Sequence, residues 1–291
     1  MKMKILCLIP AMILLFSGCL AKSEETASRE LYFKTTVSHV TESGYLVPVS
    51  KNIALSDEMA KEALSSLIIG NAEEMSLTEA GICPMIPKSS RFELAIAEKN
   101  AYLNLVLKEV LSEEKLSFSA KAAAETLLAF PGIEEVNFSV NGEKFYGALD
   151  FSESYRKETY ALPQLVYRAE KMVVPVASTL ETSDSKAVFD ALKNAPEGLA
   201  SLLPVDAEFL SEFIEKDTLY IDLEGSFGSF SGEELEKICA AIAPCFMREN
   251  TRNIAFIWRG ELLTGKTHSC LTPYINEMPL PALAKSASID L

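Results

Sequence analysis

Alternating apolar and polar residues predict short strands in two similar series along the 291-residue chain. Each series has two strand pairs with tight polar turns, a helix between them, and a second helix before a closing strand. The first series places strands at 31–36, 45–49, 92–97, 102–107 and 136–140, and helices at 58–69 and from Ser119 to Pro131. The second places strands at 165–167, 172–176, 209–214, 219–223 and 254–258, and helices at 183–193 and 233–243.

Three pairs of matching segments indicate that the second series duplicates the first. Tyr45-Leu-Val-Pro-Val-Ser matches Met172-Val-Val-Pro-Val-Ala, and Glu98-Lys-Asn-Ala-Tyr-Leu-Asn-Leu matches Glu215-Lys-Asp-Thr-Leu-Tyr-Ile-Asp-Leu. Val136-Asn-Phe-Ser-Val-Asn-Gly-Glu matches Ile254-Ala-Phe-Ile-Trp-Arg-Gly-Glu, which lies 118 residues later.

Strand pairs joined by tight turns, with helices between them, are typical of an α+β fold. We therefore predict two similar modules at residues 30–150 and 160–270. Each is expected to be a small antiparallel or mixed sheet with two helices on one face. A Pro-rich tail at 271–291 follows the second module and is expected to be loose.

The first 19 residues have the pattern of a lipoprotein signal peptide. Lys2 and Lys4 precede a short apolar run that ends in Phe16-Ser17-Gly18-Cys19. The run is shorter than the roughly 20 residues that cross a bilayer. We expect cleavage after residue 18, a lipid such as palmitate on Cys19, and a polar tether at 19–29. An ordinary secretory signal is the alternative. Either way the mature chain lies outside the cytoplasm; the lipid would anchor it to the cell membrane or the outer membrane.

The chain is acidic, with 41 Asp and Glu against 27 Lys and Arg and a formal charge of −14. Such a charge repels nucleic acid, and no cluster of basic residues offsets it. It also disfavours adsorption to an anionic membrane surface. The lipid on Cys19 would therefore supply the membrane attachment.

Four cysteines remain after the signal peptide and the lipid cysteine are set aside: Cys83, Cys239, Cys245 and Cys270. Cys239 falls on the apolar face of a predicted helix and is expected in the core. Cys245 and Cys270 lie beyond that helix, where a disulfide, free thiols or a zinc site with His268 are the alternatives.

Residues with catalytic potential are sparse. We expect His39 and His268 at the surface or in turns, and no Gly-x-Ser-x-Gly or phosphate-loop pattern occurs. The glycine-rich stretch 225–232 is interpreted as a loop before a capped helix, with anion binding as the alternative. The sequence therefore predicts no enzyme, no cofactor and no metal.

The chain resembles the GerMN (sporulation and spore germination) domain family over about residues 30 to 270. Ala129-Phe-Pro-Gly-Ile-Glu-Glu-Val-Asn-Phe-Ser-Val-Asn-Gly-Glu-Lys is the closest stretch, and Leu46-Val-Pro-Val and Leu103-Asn-Leu agree with it. The tandem pair behind a lipoprotein signal is similar to the germination lipoprotein after which the family is named. The second copy departs from the pattern at Ala243-Pro244-Cys245 and in the polar link 248–253.

The resemblance implies a fold similar to the ring-building modules of secretion machines and a non-enzymatic role in assembling a larger complex. The leading hypothesis is thus a lipid-anchored scaffold or adaptor, in sporulation or germination, with envelope proteins as partners and self-association open. The alternative is a solute-binding lipoprotein with a cleft between the modules. Its predicted walls are Tyr155, Tyr160 and Tyr167.

Overall fold

The computed structural model describes residues 31–71, 74–157, 164–178, 180 and 184–277. The signal peptide, the lipid site at Cys19 and the tether that the sequence predicts lie outside these residues, as does the chain beyond residue 277. The chain divides into two units, Met1–Leu31 and Tyr32–Leu291, and every element named below belongs to the second. Within the described residues, no helix combines the length and the apolar character needed to cross a membrane.

The first half follows the predicted order closely. Its helices are α1 (Met59–Ser65), α2 (Glu74–Glu79) and α3 (Glu113–Leu128). Its strands are β1 (Tyr32–Val40), β2 (Leu46–Ala54), β3 (Arg91–Ala97), β4 (Asn100–Val106), β5 (Glu135–Val140), β6 (Phe145–Tyr146), β7 (Leu149–Asp150) and β8 (Tyr155–Arg156). The sequence pattern did not predict α2 or the three short strands.

The second half repeats this order. Its helices are α4 (Ser185–Lys193) and α5 (Gly232–Ile242), with 3₁₀ turns at Phe227–Ser229 and Ala243–Phe246. Its strands are β9 (Gln164–Ala169), β10 (Met172–Ala177), β11 (Glu208–Glu215), β12 (Thr218–Glu224), β13 (Asn253–Trp258), β14 (Glu261–Leu262), β15 (His268–Ser269) and β16 (Asn276–Glu277).

The two halves share one sheet topology. In the first, the hairpin β3–β4 is followed by α3, and β5 then pairs parallel with β4. In the second, β11–β12 is followed by α5, and β13 pairs parallel with β12. The antiparallel hairpin beside a parallel pair makes each sheet mixed, as predicted. The turns also correspond, because Glu98 and Lys216, 118 residues apart, both have positive φ at the hairpin tips.

The start of α3 differs from the prediction. The helix begins after Ser112, whose hydroxyl accepts a hydrogen bond from the Lys115 amide, and not at Ser119. Ser119 lies about two turns further on, where its hydroxyl donates to the Lys115 carbonyl at 2.7 Å. A serine can therefore either cap a helix or bond back within it, and the first turn of acidic residues after Ser112 favours the cap there.

Each sheet buries one face and leaves the other open. In the first module α1 and α3 pack on the inner face, where the inward residues of β4 and β5 alternate with outward ones. Leu103 and Phe138 are neighbours across the parallel pair at the centre of this core. The second module has its own core, in which Ile221 and Phe256 take the equivalent places.

A third apolar cluster joins the modules. It contains residues from the first half, Val47, Val49, Leu77, Ala80 and Ile82, and from the second half, Ala169, Met172 and Val174. The chain then returns from the second half, and β16 adds to β2 as a parallel strand. The segment predicted as a loose tail is therefore part of the fold as far as Glu277.

Asn276 in β16 links the two halves through its side chain. Its amide nitrogen donates to the carbonyls of Pro48 in β2 and Val173 in β10, and its oxygen accepts from the Val173 amide. The three distances are 2.8 to 3.0 Å, and the residue is 4% exposed. Asn276 thus satisfies edge groups of both hairpins at the joint.

Candidate interaction surface

The cysteines of the second module lie in its core. Burial raises the pKa of Cys239 and of Cys245 to about 12. Cys245 and Cys270 are free thiols in the structure, and the Cys270 Sγ donates to the Thr251 carbonyl at 3.1 Å. The structure therefore does not contain the Cys245–Cys270 bond considered from the sequence, and it places Cys239 in the core as expected.

Both histidines are buried and lie in strands, so the surface or turn placement expected from the sequence was wrong. His39 lies within β1 and is paired with Val47 of β2. Burial, and then the charge of Lys51, lowers the pKa of His39 to about 3. His268 lies in β15, where its Nε2 is 2.8 Å from the Thr264 hydroxyl. Burial also lowers the pKa of His268. Both residues lie in paired strands and are buried, and their local sequence did not indicate this burial.

The remaining candidates for chemistry have structural roles. Within the described ranges, no three His, Cys, Asp or Glu residues gather as a metal site. The glycine-rich stretch before α5 ends in a capping box, in which Ser231 and Glu234 exchange hydrogen bonds. The Glu234 carboxylate thus occupies the position where an anion would bind.

Two of the three tyrosines proposed as cleft walls lie in the described residues, and these two do not gather. Tyr155 packs on the core of the first module, and Tyr167 is buried in the second, where its hydroxyl donates to the Ala191 carbonyl. Tyr160 lies outside the described residues. An apolar cluster fills the joint itself.

An open groove of about 900 Å³ lies beside the joint. It is lined by Ser76, Glu79, Ala80, Lys171, Met172, Glu233, Glu236, Lys237, Ala240, Tyr274, Ile275, Asn276 and Glu277. Most of its charged groups bind one another or a neighbour: Lys237 pairs with Glu233, and Glu236 with Lys266. The groove therefore offers few free polar groups to a solute.

The two open sheet faces differ sharply. On the first, Glu93 of β3 accepts from Arg91 at 2.7 Å and from the Asn104 amide at 2.9 Å. Asn104 in turn accepts from Ser139 and from the Gly142 amide. This face combines a polar network, whose groups satisfy one another, with the ring of Tyr102, which is 50% exposed.

The second open face contains a stacked aromatic pair. Phe213 of β11 and Tyr220 of β12 are cross-strand partners, stacked with ring centroids 4.7 Å apart and planes within 1° of parallel. Ile257 and Leu262 lie on the same face further along the sheet. The matching positions of the first module at the aromatic pair are Ala95 and Tyr102.

The sequence pattern did not indicate this surface. It predicted both strands, but alternation alone does not show which of two apolar positions faces the core and which faces solvent. Phe213 gave one usable signal, because it is paired with Tyr220 and not with the buried neighbours Leu219 and Ile221.

Residues 30–145 match the family model Germane, described as sporulation and spore germination. Among solved structures, the chain is similar to the tandem GerMN domains of the sporulation protein GerM from Bacillus subtilis. The TM-score is 0.58 at 17% identity, covering 86% of this chain and 100% of that one. The first GerMN domain of the same protein matches at a TM-score of 0.38 and 20% identity, covering 43% of this chain and 98% of that one. Curated protein sequences give no match. At this identity the likeness to the tandem domains shows the fold.

Proposed function

We propose that this chain, a GerMN-domain protein with the tandem GerMN fold, is a lipid-anchored scaffold that holds other envelope proteins together. The Germane match over residues 30–145 relates it to sporulation and spore germination. The anchor is the lipid on Cys19, and the location is the outer surface of a cell-envelope membrane.

The observation that carries the proposal is the set of contacts that join the two modules. The shared apolar cluster, the β2–β16 pairing and the Asn276 side chain fix the two modules to each other. Each module presents an open sheet face to solvent, one with a polar network beside Tyr102 and one with the stacked pair of Phe213 and Tyr220. Because the modules are joined, their two different open faces are held in fixed positions relative to each other. This arrangement suits a protein that positions its partners.

The anchor is tested by metabolic labelling with a radioactive or alkyne-tagged fatty acid. We expect the wild-type chain to be labelled and the Cys19→Ser variant to lose the label and the membrane association. Labelling that persists in the variant would contradict the proposal that Cys19 carries the lipid.

The scaffold role is tested by cross-linking in intact cells followed by affinity purification from detergent extract. We expect the same envelope proteins in replicate purifications, and their loss from the cross-linked set when Cys19→Ser releases the chain. An extract that gives no reproducible envelope partner would contradict the scaffold role, even if labelling confirms the lipid.

A further inference from the structure

We propose that the hairpin β11–β12 binds an extended, positively charged segment of a partner protein, which adds to the sheet as a further strand beside β11. The proposal rests on the scaffold function above and names the chemistry of its partner. Three properties of the hairpin carry it: a free edge, exposed apolar side chains along that edge, and an unneutralised negative charge.

The free edge is β11 itself. It is the terminal strand of its sheet, and within the part of the chain that the structure describes it pairs only with β12. It spans Glu208–Glu215, long enough for a stable ladder. In an antiparallel pair, alternate residues of the edge strand direct their amide and carbonyl groups away from the partner strand. These groups are a template for a further strand, and native edges are usually protected against one.

Apolar side chains accompany the edge on both sides. Phe213, 51% exposed, stacks on Tyr220 on the open face, while Ile214, 54% exposed, lies on the opposite side of the strand. Leu210, 51% exposed, sits at the irregularity between Phe209 and Ser211. An added strand directs alternate side chains to both faces of the sheet, so each face offers it an apolar contact.

The charge of the hairpin selects the partner. From Glu208 to Glu224 the chain has six acidic residues and one basic residue, Lys216. Arg248 neutralises Glu212 at 2.8 Å. Among the described residues no cation lies within ion-pair distance of Glu208, Glu215 or Asp222, nor of the other two acidic groups of the hairpin. A cationic segment would therefore gain both attraction and a faster association.

The duplicated module provides an internal comparison. Its hairpin β3–β4, Arg91–Val106, has two acidic and two basic residues. Arg91 neutralises Glu93, and Lys99 pairs with Glu134. Equivalent hairpins in one fold thus differ in net charge, and Phe213 stacks on Tyr220 where the first module has Ala95 beside Tyr102. The fold itself requires neither difference.

The same charge disfavours a second copy of this chain as the occupant. Two β11 edges side by side would bring like charges together, which costs stability. The β3 edge of another copy is neutral overall and offers no complementary cluster. A basic, extended segment of another protein fits both the backbone edge and the charge.

The test uses the purified full chain in detergent and a fluorescent decapeptide of alternating lysine and valine. Two control peptides have glutamate in place of lysine, or two central valines replaced by proline, which removes ladder donors. We expect binding in the range of about 1–100 μM for the lysine peptide, and affinities at least about tenfold weaker for both controls. Equal binding of the proline peptide would reduce the interaction to nonspecific charge attraction and overturn the proposal, as would no binding by the lysine peptide.

Variants locate the site. The combined change Glu208→Gln, Glu215→Gln and Asp222→Asn should weaken binding about tenfold and flatten its salt dependence. Phe213→Ser should weaken it without changing the salt dependence. The matched control in the first module, Glu93→Gln, should change the affinity less than about twofold. Circular dichroism identifies any variant that fails to fold.

Hydrogen exchange gives a direct readout that needs no variant. The lysine peptide should slow exchange at outward-facing amides of β11 and leave β3 unchanged. Protection elsewhere, with β11 unaffected, would refute the strand addition. Peptide binding in vitro depends on neither Cys19 nor an envelope. If the peptide does not bind, the β11 proposal fails, but a scaffold that uses another surface of the chain is not contradicted. A failed cross-linking experiment with intact peptide binding would instead contradict the scaffold role.

Discussion

Replacing Asn276 with alanine should destabilise the joint between the modules far more than a surface change at the next residue. The side chain makes three hydrogen bonds of 2.8 to 3.0 Å to backbone groups of Pro48 and Val173. Both donor hydrogens and one acceptor site are used, and the residue is buried. Truncation leaves the Val173 amide and two carbonyls without these partners.

The size of the effect follows from the bonds lost. A hydrogen bond contributes about 1 kcal/mol net, and an unsatisfied buried group costs about 1–3 kcal/mol, so we expect a loss of about 3 kcal/mol. For a unit of this size, each kcal/mol lowers the melting temperature by about 2–4 °C, so the expected decrease is about 6–12 °C.

The assay is urea and thermal unfolding, followed by far-ultraviolet circular dichroism and by the fluorescence of Trp258, the single tryptophan. Glu277→Ala is the matched control: it removes an exposed ion pair with Lys34, and we expect a change below about 0.5 kcal/mol. Asn276→Asp keeps the acceptor but loses both donors and sets a negative charge beside two carbonyls. It should therefore be at least as destabilising as alanine at pH 7.

A loss below about 1 kcal/mol for Asn276→Ala would refute the reasoning. So would equal effects of Asn276→Ala and Glu277→Ala. Hydrogen exchange adds a local check, because the Val173 amide should exchange faster in the alanine variant while amides at the centre of each sheet stay protected.

Three further predictions concern the cores. Burial lowers the pKa of His39 to about 3 while the unfolded value is 6.5. The unfolded chain thus binds the proton first, stability is complete above about pH 6.5, and it falls on acidification toward pH 3. Between pH 7 and pH 5, His39 should lower the free energy of unfolding of the wild type by about 2 kcal/mol, and the His39→Gln variant should lack this decrease. Urea unfolding at each pH measures the difference. Phe138→Ala should cost about 3–5 kcal/mol because Phe138 is fully buried, whereas Phe145→Ala, at an exposed position, should change the urea midpoint little. Cys245 and Cys270 should react with iodoacetamide only after unfolding, and the intact mass should be the same with and without reductant. Rapid native labelling of either thiol would contradict their burial.

Much of the fold could be predicted from local pattern. The hairpins, the closing strands, the first helix of each module and α5 lie within a few residues of the expected positions, because alternation and turn residues act over short distances. The repeated offset also held: Asn141 and Arg259, both with positive φ and each followed by a glycine, end β5 and β13 at matching places. The helix start predicted at Ser119 was wrong because both Ser112 and Ser119 are residues that can cap a helix, and the cap is Ser112.

The burial of particular residues could not be predicted in the same way. His39 and His268 were expected at the surface or in turns, yet both lie in strands and are buried. The return of β16 to β2 joins residues more than 220 positions apart, and a two-residue strand has no periodicity to detect. The contrast between the two open faces was invisible for a related reason, since a strand pattern does not state what covers each side.

The sequence by itself determined the duplicated α+β plan, the acidic charge, and the expectation of a lipid at Cys19, because composition, spacing and short-range periodicity are properties of neighbouring residues. Only the tertiary structure decided that Asn276 joins the modules and that Phe213 and Tyr220 stack on an open face beside a free edge. The Asn276 contacts join segments 103 and 228 positions apart, and their free energy is set by burial and geometry after the strands have paired. Phe213 and Tyr220 are close in the chain, but which face of their hairpin stays open depends on where the helices pack.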